Sequence, residues 1–376
     1  MWTLISVQQY HSSTEKKYHL QSLSFMRNIT FIAILLAFVQ SLAAQTAVPL
    51  QTSIRNGAGT LEMSVLDYGA RIQSLSFHGT DVVLGFDRPE DYVTHKQNFG
   101  AVVGRYIGRI LGGKLTIDGR NYQLSVGSNG DCSHGGTPGF AVKTWTVTSK
   151  NDSSVVLRYI SPDGENGFPG ELTLVVRYTL TADALRIDYY ATTTKPTVLN
   201  PSNHTFFCLS GSQGEDILNE TLWLNADAIA AYDKDKRVTG ELQSVAGTPF
   251  DFTRPQKIGQ RIDEANAQLQ VTRGYDHCYR LCTGGSLSEA AARIEDASSG
   301  IAMEVFTTEP AMQIYTANGH NGTIKGKGGV LYPRRNAICF ETMHFPDSPN
   351  KPQWPSTLLR PGETFRSTTV FRFIKM

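Results

Sequence analysis

The sequence has little net charge of either sign. Its 376 residues include 35 Lys and Arg against 34 Asp and Glu, a formal net charge of +1, and only 18% of the residues are charged. A strongly basic block is also missing, which argues against nucleic acid as the main partner because phosphate binding needs a concentrated basic surface. With its plentiful Gly and Tyr, the composition favours strands and loops around an uncharged, sugar-like ligand.

Cysteine is scarce, and the five residues present do not follow the spacing of a disulfide scaffold. Cys278 and Cys282 are four positions apart, but no second pair or nearby His ladder completes a zinc site. We therefore predict mainly small buried side chains without a metal, and a single disulfide remains open. The five are Cys132, Cys208, Cys278, Cys282 and Cys339.

The sequence also lacks an apolar run long enough for a membrane helix, which needs about 20 residues. The longest such run, residues 29–39, follows Arg27 and precedes small residues that end at Ala44. This pattern is typical of a secretory signal peptide cleaved after Ala43 or Ala44, and it predicts an exported protein, periplasmic or secreted. Residues 1–44 then consist of two parts, an upstream extension over residues 1–25 and the signal peptide that begins at Met26. An uncleaved N-terminal anchor is the alternative.

What the chain does have is a succession of short strands. Apolar and polar residues alternate over 172–180 and again over 185–189, with the turn Thr181-Ala182-Asp183 between them, which predicts a β-hairpin with one buried face. Sustained helical periodicity is rare, and residues 258–269 are the best candidate. Length alone suggests two domains. Since no linker or repeat divides the chain, residues 45–376 are predicted to form one large antiparallel β-sandwich, an all-β fold with few short helices.

Five polar clusters occur in turn-like or strand-end settings. Taken singly, each has an ordinary structural explanation, such as a loop His bonded to backbone or a solvated Arg, and spacing does not link clusters that span more than 200 residues. Only a fold can bring them together. The clusters are Gly104–Ile110, Ser133–Gly136, Asn200–Phe207, Gly274–His277 and Phe340–Asn350.

Taken in order, these clusters resemble the motifs of the aldose 1-epimerase (galactose mutarotase) family over roughly residues 50–376. The resemblance is carried by Asn98–Ile110, by His134-Gly135-Gly136, by Asn203–Phe207, by Tyr275-Asp276-His277 and by Glu341–Glu363, the last being long enough to be highly specific. It implies a single large β-supersandwich. It also implies a cofactor-independent isomerase that interconverts the α and β anomers of hexoses such as D-glucose and D-galactose.

The resemblance implies roles for six residues. Glu341 matches the general base and His204 the general acid, while Arg109, His134, Asp276 and Gln313 match residues that bind the sugar. The chain departs from the pattern at Gly108, where the family usually has Asn, and at Met343, where Gln is common.

The chemistry needs a base to take the C1 hydroxyl proton and an acid to protonate the ring oxygen, so Glu341 has to be ionised and His204 protonated. Arg109 is expected to favour the carboxylate, Asp276 the imidazolium, and Phe206 and Phe207 are expected to form an apolar wall.

Other functions remain open. Asp276 and Glu341 could serve a glycoside hydrolase, which uses two carboxylates. A non-catalytic carbohydrate-binding protein would keep the sugar contacts without needing both Glu341 and His204. A hexose 6-phosphate epimerase would need a further basic cluster that the sequence does not display. The expected partner is a small aldose, with no nucleic acid and no membrane insertion after signal cleavage, and the protein is expected to be a monomer or a homodimer.

Overall fold

The computed structural model describes residues 48–376, and the predicted signal segment lies outside them. The described residues form 26 strands and two short α-helices, α1 (Asp91–Thr94) and α2 (Ala267–Thr272). Short 3-10 turns lie at Leu111–Gly113, Phe140–Val142, Glu165–Gly167, Ile258–Gln260, Lys327–Gly329 and Ser348–Asn350. No helix in this part of the chain has the length and hydropathy to cross a membrane.

The strands, in chain order, are β1 (Gln51–Arg55), β2 (Leu61–Leu66), β3 (Arg71–Phe77), β4 (Thr80–Asp81), β5 (Ala101–Val103), β6 (Arg109–Ile110), β7 (Lys114–Ile117), β8 (Arg120–Gln123), β9 (Cys132–Ser133), β10 (Thr146–Lys150), β11 (Ser154–Ser161), β12 (Leu172–Leu180), β13 (Ala184–Thr193), β14 (Thr197–Val198), β15 (Ser202–His204), β16 (Thr221–Leu224), β17 (Ala226–Tyr232), β18 (Val238–Ser244), β19 (Gln256–Lys257), β20 (Asp276–Leu281), β21 (Ala292–Asp296), β22 (Ile301–Thr307), β23 (Ala311–Tyr315), β24 (Cys339–Met343), β25 (Leu358–Leu359) and β26 (Phe365–Lys375).

Three antiparallel sheets make up most of the fold. The largest has nine strands in the order β10-β11-β12-β13-β26-β22-β21-β16-β19, a second has the order β18-β17-β20-β23-β24, and a third the order β1-β2-β3-β4. All three contribute to one buried apolar core, represented by Val176, Val305, Ile314 and Ile72. The prediction of a large antiparallel β-sandwich with few helices is therefore confirmed.

The hairpin of β12 and β13 shows why the sequence folds this way. Its strands pair from Leu172 opposite Thr193 to Leu180 opposite Leu185, and the apolar positions of β12 face the core. Since successive side chains of a strand point to opposite faces, the alternating pattern fixes which face is buried. The turn closes with Thr181 N–H donating to the Ala184 carbonyl.

The prediction of a single helix over residues 258–269 is wrong. A 3-10 turn covers only Ile258–Gln260, and α2 begins at Ala267. The physical reason is Asn266, whose side chain accepts from the backbone N–H of Gln268 and Leu269 and so caps a new helix at that point.

The five cysteines all lie among the described residues and all are free thiols. Four are buried, as the sequence predicts, and Cys282 is exposed. The possible disulfide does not form.

Candidate active site

The six residues matched to family roles line one cavity of about 660 Å³. Residues more than 200 positions apart in the chain therefore come together, as a shared site requires. The six are Arg109, His134, His204, Asp276, Gln313 and Glu341.

Three neighbouring strands of the five-stranded sheet carry the acidic side of the cavity. Gln313 on β23 pairs with Glu341 on β24, while Asp276 on β20 pairs with Tyr315. Positions two apart on a strand, and directly opposed positions on its neighbours, share one face. The sheet thus presents Asp276, Gln313 and Glu341 together, and the Gln313 amide donates to Asp276 Oδ1 at 2.6 Å.

The other residues arrive from short strand pairs. His204 ends β15, which pairs with β5, and Arg109 on β6 lies opposite Ser133 on β9. His134 follows directly with φ +52, a backbone conformation that non-glycine residues seldom adopt outside functional sites and turns.

His204 and Glu341 form a titratable pair in the cavity, with 3.3 Å between His204 Nε2 and Glu341 Oε1. Both are buried, with 7% and 3% of their surface exposed. Burial lowers the pKa of His204 to about 3, although Asp276 acts in the opposite direction. Burial and the negative charge of Asp276 raise the pKa of Glu341 well above its ordinary value.

Burial thus favours the neutral forms of both groups, not the charged forms that acid–base catalysis uses. The proton count is nevertheless the same. When the carboxyl proton of neutral Glu341 moves across 3.3 Å to Nε2 of neutral His204, the pair becomes ionised Glu341 and protonated His204. The pair can therefore give one proton and take another without exchange with solvent.

His134 is a partly buried neutral donor or acceptor. Its ring centre lies 5.8 Å from that of His204, and burial lowers its pKa to about 4. Within residues 48–376, its Nδ1 has no hydrogen-bond partner. A buried polar atom without a partner is unfavourable, so a ligand hydroxyl at this position would be stabilising.

The cavity contains a charged residue that the sequence motifs do not include. The Lys236 ammonium group pairs with Asp276 Oδ2, and Lys236 rather than Arg109 is the cation that lowers the pKa of Glu341. Arg109 Nη1 instead donates to the Lys236 carbonyl at 2.9 Å and lies 3.8 Å from Asp131. In the sequence, Lys236 belongs to the charged run 233–237, which resembles any solvated turn.

Aromatic rings form a column behind His204. The His204 ring stacks on Phe206 at 4.9 Å, and Phe206 stacks on His320 at 5.3 Å. Phe206 lines the cavity as predicted, but Phe207 does not and is buried in the main core. Two successive residues in extended chain point in opposite directions, so only one of them can form the wall. His320 carries no sequence signal of its own.

Other polar residues of the five clusters have structural roles. Arg105 is buried, and its guanidinium donates to Ser161 Oγ and to the Pro169 carbonyl. His277 is buried between the rings of Phe250 and Tyr232. Neither lines the cavity.

One group of potential metal ligands occurs among the described residues. Donor atoms of His204, Cys339 and Glu341 lie within 4.8 Å of one another. Cys339 Sγ contacts Nδ1 of the imidazole at 3.6 Å, whereas Glu341 contacts Nε2. Because the two partners face different ring nitrogens, the arrangement suits an oriented imidazole that transfers a proton at Nε2.

The two departures from the family pattern are neighbours. A Cβ atom at Gly108 would lie 3.2 Å from Met343 Cε and 3.5 Å from Pro346 Cβ. This part of the cavity wall is therefore apolar, and Met343 partly fills the space beside Gly108.

Comparisons with known proteins match most of the chain. The family model described as "Aldose 1-epimerase" matches residues 51–372. The chain is 38% identical to galactose mutarotase from Bos taurus over 333 residues, covering 84% of this chain and 95% of that protein. It is 36% identical to aldose 1-epimerase from Escherichia coli K12 over 330 residues, covering 86% and 94%.

Solved structures show the same fold. The aldose epimerase homologue from C. elegans superposes with a TM-score of 0.79 at 25% identity, over 87% of this chain and 99% of that one. Galactose 1-epimerase from Lactobacillus acidophilus gives a TM-score of 0.76 at 27% identity, with the same shares covered.

Proposed function

The chain belongs to the aldose 1-epimerase family, and on that premise we propose that it interconverts the α and β anomers of a hexose such as D-glucose or D-galactose. Glu341 is the general base and His204 the general acid of this reaction. The observation that carries the proposal is the buried His204–Glu341 pair, 3.3 Å apart and open to the cavity.

The reaction balances with these two groups alone. The Glu341 carboxylate takes the proton of the C1 hydroxyl while His204 Nε2 gives its proton to the ring oxygen. The bond between C1 and the ring oxygen breaks, and C1 becomes the aldehyde carbon. After rotation about the C1–C2 bond, the hydroxyl attacks the other face of C1 and both protons return. Each such acid or base typically contributes about 10²–10⁴-fold.

Four residues hold the sugar in this proposal: Arg109, His134, Asp276 and Gln313. Asp276 and Gln313 are bonded to each other, which fixes the direction of both polar groups before the ligand arrives. The unpartnered Nδ1 of His134, a residue of the cavity lining, supports a polar ligand.

Polarimetry tests the function directly. Purified protein added to fresh α-D-glucose or α-D-galactose should accelerate the change in optical rotation, and Glu341→Gln should not. Absence of acceleration by the wild-type protein would contradict the proposal. A chromogenic glycoside serves as the second arm, because release of its aglycone would indicate a hydrolase that uses Asp276 and Glu341.

We propose separately that the protein is exported and then acts as a monomer or a homodimer. Export is supported by the apolar run at residues 29–39 and the small residues after it. N-terminal sequencing of the mature protein should begin at Ala44 or Gln45. An intact N-terminus on the mature protein would contradict export with cleavage.

A further inference from the structure

Lys236 reaches the cavity from the turn that connects β17 with β18. Its side chain is one-third exposed, with 32% of its surface accessible, and its ammonium group contacts Asp276 Oδ2. Gln313 occupies the other oxygen of the same carboxylate. Asp276 is therefore an ion-paired carboxylate in the cavity, and its strand, β20, is separated from β24, which carries the proposed base, only by β23.

The turn holds Lys236 firmly in this position. Asp233 Oδ1 accepts from the backbone N–H groups of Asp235 and Arg237, and the Lys236 N–H donates to the Asp233 carbonyl. The Arg237 guanidinium donates to buried Asp131 at 3.2 Å. Lys236 itself adopts φ +59, and its carbonyl accepts from Arg109. Such a backbone conformation and these anchors on both sides indicate a fixed backbone at Lys236, and the ion pair with Asp276 directs its side chain into the cavity.

The pairing solves a like-charge problem. Asp276 and Glu341 line the same cavity, and two carboxylates that share a buried site oppose each other's ionisation. Other titratable groups facing Glu341 are His204, Cys278, Tyr315 and Cys339. None of these brings a permanent positive charge, whereas Lys236 does.

We propose that Lys236 is a positioning residue of the epimerase reaction, which pairs with Asp276 so that Glu341 can act as the base at physiological pH. The inference rests on the proposed function and adds a residue to it. Lys236 touches neither reacting atom in this proposal and acts through Asp276 and Glu341.

The sign of the effect follows from charge. Removing the Lys236 ammonium leaves Asp276 uncompensated, which raises the pKa of Glu341 further and also raises the pKa of His204. The pair then holds its protons to higher pH. We therefore expect both limbs of the activity profile to move to higher pH, with the largest loss of activity on the acidic side.

The experiment is the pH dependence of kcat/KM for Lys236→Met, Lys236→Gln, Lys236→Arg and the matched control Lys234→Met. Lys234 is exposed in the same turn, so its variant removes the same charge without touching the cavity. We expect the acidic limb of the Met and Gln variants to lie about one pH unit or more above that of the wild type, a loss of about tenfold at a fixed pH on that limb, with much less loss at pH 9. Lys236→Arg and Lys234→Met should keep the wild-type pH optimum.

A double variant separates charge from shape. Lys236→Met combined with Asp276→Asn removes both members of the ion pair, so the optimum should return towards that of the wild type even though sugar binding is weaker. A folded Lys236→Met or Lys236→Gln enzyme with the wild-type profile would overturn the inference, as would a double variant that stays shifted. These outcomes leave the proposed function intact, whereas a wild-type protein without mutarotation would overturn both.

Discussion

Two Glu–His pairs within residues 48–376 have the same chemical groups and different surroundings. In one, His344 Nδ1 and Glu309 Oε2 are hydrogen-bonded at 2.7 Å. In the other, His204 Nε2 and Glu341 Oε1 are 3.3 Å apart. Only the second pair lines the cavity.

The difference lies in what surrounds each pair. The first pair is closed off from the cavity, and beside it the His344 backbone N–H donates to Asn200 Oδ1 while the Asn200 side-chain amide donates back to the His344 backbone carbonyl. In the second pair, the imidazole is held by Cys339 and by the Phe206 ring, and Nε2 faces the cavity. Identical residue types thus stabilise the fold in one place and are available for proton transfer in the other.

The largest expected effect comes from Glu341→Gln, which keeps the shape of the side chain and removes the base. We expect kcat for mutarotation to fall towards the upper end of the range of about 10²–10⁴-fold. Glu309→Gln, the same substitution in the closed pair, should keep kcat within about threefold. Comparable losses in both variants would show that the cavity does not distinguish the two pairs.

A somewhat smaller loss is expected for His204→Asn, because water in the cavity can protonate the ring oxygen in place of the imidazole. Polarimetry should give a decrease in kcat of about 10²–10³-fold. Combining it with Glu341→Gln should add little, since the two residues act as a unit. A double variant whose loss equals the product of the two single losses would speak against a coupled pair.

Stability should reverse the order of the two pairs. His344→Ala leaves buried Glu309 without its partner, and urea denaturation should show a decrease of about 1–3 kcal/mol in the free energy of unfolding. His204→Asn should have a smaller effect, since the Asn amide can still donate to Glu341. Equal destabilisation by both variants would contradict the distinction between a closed and an open pair.

The smallest expected effect is a change in KM, and it concerns Gly108 in the cavity wall that also contains the His204–Glu341 pair. Gly108→Ala and Gly119→Ala both introduce a side chain at positive φ, +76 and +77, which costs about 1 kcal/mol each. Only the first adds a contact, with Met343, because nothing lies within 4 Å of a Cβ at Gly119. KM for the sugar should therefore rise in Gly108→Ala alone, by about two- to threefold, and a matching rise in Gly119→Ala would remove Gly108 from the site.

Local patterns in the sequence predict much of the fold because strand periodicity is a local property. The alternation over 172–180 predicts the buried face of β12, and the polar turn after it predicts the hairpin. The site residues could be predicted only from family motifs. Pairing between β20, β23 and β24 brings Asp276 and Glu341 together although they are 65 positions apart, and no local pattern encodes that pairing.

The features that could not be predicted from the sequence all depend on where an element lies in the folded protein and which way its side chains point. Lys236 looks like a solvated turn residue until the turn is seen to lie over the cavity. Phe206 and Phe207 are adjacent and equally apolar, but only one faces the cavity. Glu309–His344 and Glu341–His204 differ in what surrounds them and not in composition.

The most direct test is the pH dependence of kcat/KM for the wild-type enzyme beside Glu309→Gln. The open pair holds one proton between about pH 3, set by the lowered pKa of His204, and the raised pKa of Glu341. Above that interval the acid is lost, and below it the base is lost, so activity should persist through neutral pH and fall at both ends. Glu309→Gln should leave this profile unchanged. Two results would contradict the assignment of catalysis to Glu341 and His204. One is a wild-type profile in which activity rises through the ordinary pKa range of Glu and stays undiminished to strongly alkaline pH. The other is a profile that moves in Glu309→Gln.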